Sequence, residues 1–249
     1  MIYVLTFATH AEGNFNNMIN NSYGIKIKVL GWGKKWTGFK MKYIYVYNFI
    51  KNLKDNDIII FLDGFDVYIN GYLKNAIKIF EKNNYKVLFS KEIPMYKINY
   101  FKNKVFNPYN EKYILNTGLY MGYVKYLKIL LHESLKLKCN DDQRNMNILR
   151  NKYNFINIDI NNEIFENIQY KNELKKSDSI FVQQPGTISK NRLKRSIYEY
   201  SQFFLKEIIF LITFLTFFIL IKKSKLKIII LIILIIFYFF YKKIDKSCL

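Results

Sequence analysis

Residues 58–68 read IIIFLDGFDVY, five consecutive apolar side chains ending in two carboxylates, Asp63 and Asp66, three positions apart. The apolar run is long enough for a strand buried on both faces, as in a parallel sheet covered by helices. Asp63 then falls at the carboxyl end of that strand, Gly64 permits a sharp turn, and Asp66 returns towards the same point. Two like charges sharing so small a volume oppose each other's ionisation unless a cation or a proton lies between them. Hard oxygen donors suit Mg2+ or Mn2+, which commonly hold a nucleotide diphosphate, and the carboxyl ends of strands in an open α/β sheet are where ligands bind. The plainer alternative is a helix N-cap at Asp63 with Asp66 solvated.

Outward from this stretch the chain alternates strand and helix. Ile2–Phe7 and Ile25–Leu30 read as strands, and the loop that follows, punctuated by Gly31, Gly33 and Gly38, carries both tryptophans, Trp32 and Trp36. A tryptophan there serves either as a stacking surface for a base or sugar or as a core side chain. Tyr43, Val46, Tyr47 and Ile50 fall at helical spacing within Met41–Lys54, and Lys42 at its start is a candidate phosphate contact. A helix over Leu73–Asn83 and a strand over Lys86–Phe89 complete a βαβ alternation, predicting an α/β fold with a mostly parallel sheet flanked by helices. Lys91–Lys112 is long and irregular, the expected place for an acceptor site. Tyr113–Tyr123 is strand-like but interrupted by Asn116, Thr117 and Gly118, which suggests a close approach of backbone and ligand. A helix over Val124–Leu137 follows, then CNDDQ (139–143) opens another, with Asp141 and Asp142 at its N-terminus. Phe155–Ile160 and Ile180–Val182 read as late strands, with Phe165, Ile168 and Tyr170 in a short connecting element.

The bulk composition restricts function more weakly than it first suggests. Lys and Arg number 39 against 19 Asp and Glu in 249 residues, a net charge of +20. The lysines are scattered among Asn, Ile, Tyr and Phe, all encoded by AT-rich codons, and no nucleic-acid motif accompanies them, so no nucleic-acid partner is expected. Two cysteines, Cys139 and Cys248, do not make a disulfide-built secreted domain. His10 and His132 are the only histidines and neither sits in a nucleophile motif, which leaves little room for catalysis by a histidine base.

Taken together and in this order, VLTFAT, VLGWGKKW, Lys42, FLDGFDVY, KVLFSKE, YILNTGLYMGY and CNDDQ resemble the glycosyltransferase domain of procollagen-lysine hydroxylases and related collagen-type glycosyltransferases, over roughly residues 1–190. The resemblance implies a GT-A-like fold acting on a UDP-sugar with Mn2+ (or Mg2+). It implies Asp63 and Asp66 as metal ligands, with Trp36, Lys42 and Phe65 on the nucleotide side. Asn116 would stand beside the site, and Asp141 and Asp142 next to sugar and acceptor, a protein or glycan hydroxyl. In the family's last strand a His is the third metal ligand, whereas this chain has FVQQPG, so that Gln183 takes the position. A carboxamide oxygen can ligate a hard metal but is neutral and a weaker donor to Mn2+ than imidazole. The expected activity is hexosyl transfer, with a catalytically inactive nucleotide-sugar-binding or scaffolding module as the alternative.

Beyond the domain, 191–202 reads as a basic linker, 203–241 as two apolar segments separated by lysines, and 242–249 as a short basic tail. The apolar segments are short for spans, yet nothing polar remains for an outer face, so a transmembrane helical hairpin in contact with lipid is expected. Without a signal-peptide pattern at the N-terminus, the expectation is a multi-pass membrane protein with its catalytic domain on the cytosolic face.

Overall fold

A computed structural model describes residues 1–93, 109, 111–139, 141–185 and 209–215. The chain divides into two compact units, Met1–Lys190 and Asn191–Leu249. In the first unit the strands β1 (Ile2–Phe7), β2 (Ile27–Leu30), β3 (Ile58–Asp63), β5 (Val87–Lys91), β6 (Leu115–Tyr123) and β7 (Ile156–Asp159) form a six-stranded sheet in the order β2-β1-β3-β6-β5-β7. β1 pairs in parallel with β2 and β3, and β5 with β7, while β6 runs antiparallel between β3 and β5.

The IIIFLD run forms β3, and its side chains show why it had to be apolar throughout. Ile59 and Phe61 enter one core with Leu5, Tyr43, Val46, Leu127 and Leu131, whereas Ile58, Ile60 and Leu62 enter the opposite core with Val4, Met18, Phe80 and Phe181. Alternate residues of one strand thus serve two faces, and each fully buried aliphatic chain contributes roughly 1.5–3 kcal/mol. The first face is covered by α2 (Lys40–Ile50), α4 (Val124–Lys136) and α5 (Asp142–Arg150). In α4, Val124, Leu127, Leu130, Leu131 and Ser134 form the buried stripe at intervals of three and four. The other face is covered by α1 (Phe15–Ile19), α3 (Leu73–Lys82) and a three-stranded sheet.

That smaller sheet departs from the expectation. Val67–Ile69 is a strand, β4, and Phe165–Asn167, expected in a connecting element, is β8; both flank β9 (Phe181–Gln183), antiparallel to β4 and parallel to β8. Three-residue strands carry too little periodicity to be read from sequence. The pairing Val67↔Gln183 matters most, because it holds Gln183 next to Asp66.

The expected membrane hairpin is not upheld. Among the described residues no helix is long and apolar enough to cross a membrane. Of 203–241 the described part is 209–215, helical over seven residues. The multi-pass location is therefore withdrawn. The basic linker, the basic tail and the rest of the two apolar segments lie outside the described residues, as do 94–108 and 110 of the expected acceptor stretch.

Candidate active site

The site forms where β3 ends beside β6. Asp63 closes β3 opposite Phe7 of β1, and its Oδ1 accepts from the Gly64 N–H at 3.3 Å. A Cβ on Gly64 would strike the Phe7 carbonyl, which explains the glycine in this turn. After the turn Asp66 is buried, and its carbonyl accepts from the Gln184 N–H at 2.9 Å. The pairing of β4 with β9 therefore brings Gln183 up to both carboxylates. Its Nε2 donates to Asp66 Oδ1 at 3.0 Å and to Asp63 Oδ2 at 3.4 Å.

β6 widens to make room. Its register with β5 jumps between Phe89 and Ser90, from Phe89↔Tyr120 to Ser90↔Asn116, a bulge of the kind found beside functional sites. Gly118 lies in the bulge because a side chain there would overlap the Gln183 carboxamide, with Cδ only 2.6 Å from the added Cβ. Asn116 Oδ1 accepts from the Gly118 N–H at 2.8 Å, and its Nδ2 donates to Glu92 Oε2 at 2.9 Å. Gln143 Nε2 donates to the same Glu92 oxygen at 2.7 Å. Glu92 thereby ties β6 to α5. Its position closing KVLFSKE was visible in the sequence, but no role could be assigned to it before Asn116 and Gln143 were brought together.

Across the opening, α2 delivers Lys42 into the carboxylates. Its Nζ lies 2.8 Å from Asp142 Oδ2 and 3.8 Å from Asp63 Oδ1, and the side chain is buried. Burial alone would depress the ammonium pKa, but Asp142, then Asp63 and Asp66, more than offset it and raise it above the usual lysine range. Asp141 caps α5 by accepting from the Arg144 N–H at 2.7 Å. It keeps a partly exposed edge yet is deeply surrounded, and burial, followed by repulsion from Asp142, pushes its pKa from 3.8 to about 7. Tyr120 of β6 is buried with its hydroxyl unpaired among the described residues. Burial, then Asp142 and Asp63, raise its pKa well above the phenol range, so it stays protonated.

The aromatic candidates lie at the rim. Trp36 is 45% exposed and packs its ring against Phe7 and Phe39, centroids 5.8 and 5.5 Å away. Trp32, 54% exposed, stacks on Phe15 instead. Phe65 packs on His10, which also lies 3.1 Å from Glu12, while His132 stacks on Tyr47. Asp63, Asp66, Gln183, Lys42 and Asp142 are thus one cluster. Asn116 is joined to its edge through Gly118, whereas Phe65 and Trp36 belong to the surrounding wall.

The donor set suits a hard cation. Among the described residues no group of three His, Cys, Asp or Glu side chains is gathered to hold a metal. An ion here would rely on the Asp63 and Asp66 carboxylates and on Gln183, whose Oε1 is buried and unpaired among the described residues. A half-turn of that carboxamide exchanges its two ends and directs Oε1 at the carboxylates, completing a set of oxygens suited to Mg2+ or Mn2+.

Comparison with known proteins gives this arrangement a context. A family model described as the PLOD GT domain matches residues 1–196. Procollagen-lysine,2-oxoglutarate 5-dioxygenase 2 of Mus musculus is 27% identical over 155 residues, covering 57% of this chain and 21% of the relative. The Homo sapiens protein of the same name is 25% identical over the same shares. Procollagen-lysine,2-oxoglutarate 5-dioxygenase of Drosophila melanogaster is 25% identical over 195 residues, 70% of this chain and 26% of the relative. The chain spans about a quarter or less of the length of these relatives.

Proposed function

The chain belongs to the PLOD GT domain family, and on that premise we propose that it is a metal-dependent transferase moving a hexose, glucose or galactose, from a UDP-sugar to a hydroxyl of a protein or glycan. The observation that carries the proposal is the convergence of Asp63, Asp66 and Gln183 beside the buried Lys42–Asp142 pair at the carboxyl end of β3. Mn2+ or Mg2+ held there would offset charge on the departing diphosphate. Lys42 adds a fixed positive charge on the nucleotide side, and Trp36 offers an exposed ring for the base. Asn116, held by Glu92, and Asp142, held by Lys42, present polar groups whose rotation is restrained, suited to orienting sugar and acceptor hydroxyls.

A second reading has its own support. In the described conformation the Gln183 carboxamide donates to both carboxylates, and with Lys42 it partly neutralises them. A cluster satisfied in this way suits a module that binds a nucleotide-sugar without turning it over.

The deciding experiment measures UDP release by the full chain from UDP-glucose, UDP-galactose and their N-acetyl forms, with Mn2+, with Mg2+ or with chelator, beside Asp63→Asn. Metal-dependent release that Asp63→Asn abolishes supports the transferase. A folded chain that binds UDP but releases none from any donor supports the non-catalytic module, and one that binds no UDP overturns both.

A further inference from the structure

A second cleft, of about 410 Å³, lies between α1, β4 and the 3-10 turn Lys171–Lys176. Its volume falls within the roughly 300–1,000 Å³ of ordinary ligand pockets. Six of its ten lining residues are asparagines, Asn14, Asn16, Asn17, Asn20, Asn21 and Asn70, and none is charged. Asparagine makes up 28 of 249 residues and Lys plus Arg 39. A codon bias that spreads both along the chain does not by itself concentrate one and exclude the other.

The asparagines divide into frame and face. Asn14 Nδ2 donates to the Val67 carbonyl at 2.6 Å, Asn21 Nδ2 to the Met18 and Ile25 carbonyls, and Asn70 Nδ2 to the Ser177 carbonyl at 2.7 Å. These bonds fix the walls. Asn16 in α1 and Asn20 at its C-cap both line the cleft; both are exposed, and their side chains make no hydrogen bond among the described residues. Each carboxamide offers a donor and an acceptor side by side, complementary to vicinal hydroxyls, and Tyr68 in the same lining offers a ring for the apolar face of a sugar. No lysine or arginine stands in the lining to hold an anion. The chemistry disfavours phosphate and nucleotide.

We propose that the Asn16–Asn20–Tyr68 cleft is a carbohydrate-binding subsite for a neutral oligosaccharide, separate from the Asp63–Asp66 site. It needs neither metal nor turnover. It therefore stands or falls independently of the transferase reading, although under that reading it would grip a remote part of a glycan acceptor.

Saturation-transfer NMR on the full chain in chelator, with lactose and maltotriose as probes and UDP and glucose 6-phosphate as comparators, tests the proposal. At least one neutral probe is expected to receive saturation, to keep it when UDP is added, and to lose most of it in an Asn16→Ala/Asn20→Ala variant whose circular dichroism matches the native chain. No transfer to either neutral probe, transfer that survives the double substitution, or transfer that UDP displaces would each overturn it.

Discussion

The Lys42 ammonium lies 2.8 Å from Asp142 Oδ2, and both side chains are about 95% buried, so helices α2 and α5 meet through a desolvated ion pair at the mouth of the site. Removing one member leaves the other buried and uncompensated, which typically costs about 3–5 kcal/mol. Lys42→Met is therefore expected to lower unfolding stability by about 3 kcal/mol, and the double variant Lys42→Met/Asp142→Asn to recover most of the loss. Urea denaturation of the four proteins of the cycle measures the coupling. Additive losses would show that the pair does not hold the helices together.

Asp141 makes stability depend on pH in a defined direction. Its folded pKa, about 7, lies above the ordinary 3.8, so the folded chain binds its proton more tightly than the unfolded chain. That contribution is fully present below about pH 4 and is lost as pH rises through about 7. Measured in chelator, the native chain should lose stability between about pH 4 and about pH 7 relative to Asp141→Asn. Parallel pH profiles of the two proteins would contradict the shifted carboxyl.

The chain made the large sheet easy to read and the site harder, for one physical reason. A strand buried on both faces needs an unbroken apolar run, and Ile58–Leu62 announces itself; Asp63, Gly64 and Asp66 then mark its carboxyl end. The elements that complete the site are short or local. β4 and β9 have three residues each, and Gln183, placed at the third ligand position by the resemblance, reaches Asp66 through a pairing with Val67 that the sequence does not display. Glu92 and Gln143 are ordinary polar residues in sequence, 51 positions apart, and their bond depends on the packing of β5 against α5. At the other end of the chain apolar runs over 203–241 suggested spans, whereas among the described residues no helix is long and apolar enough to cross a membrane.

Gly118→Ala should separate function from folding. The added Cβ meets the far end of the Gln183 side chain, not backbone, so the carboxamide can turn aside for about 1–3 kcal/mol. Turning aside removes it from Asp63 and Asp66. The expected outcome is a folded protein whose melting temperature falls by a few degrees but whose response to Mn2+ or Mg2+ is largely lost. An unchanged metal response would mean that Gln183 takes no part in the cluster.

Gln183→Glu tests whether the cluster is built for a cation. The substitution puts a third carboxylate where an amide now lies 3.0 Å from Asp66 and 3.4 Å from Asp63. Without metal, three anions share one partly buried volume, and Lys42, already engaged by Asp142, lies 3.8 Å from only one of them. Repulsion should lower the melting temperature in chelator below that of the native chain. With millimolar Mg2+ or Mn2+ the added charge should tighten binding, and stabilisation grows with the logarithm of ligand over dissociation constant. The variant is therefore expected to gain more from metal than the native chain does, which differential scanning measures directly. Metal-independent melting in both proteins would remove the cation from the site and favour the reading in which Gln183 and Lys42 satisfy the carboxylates by themselves.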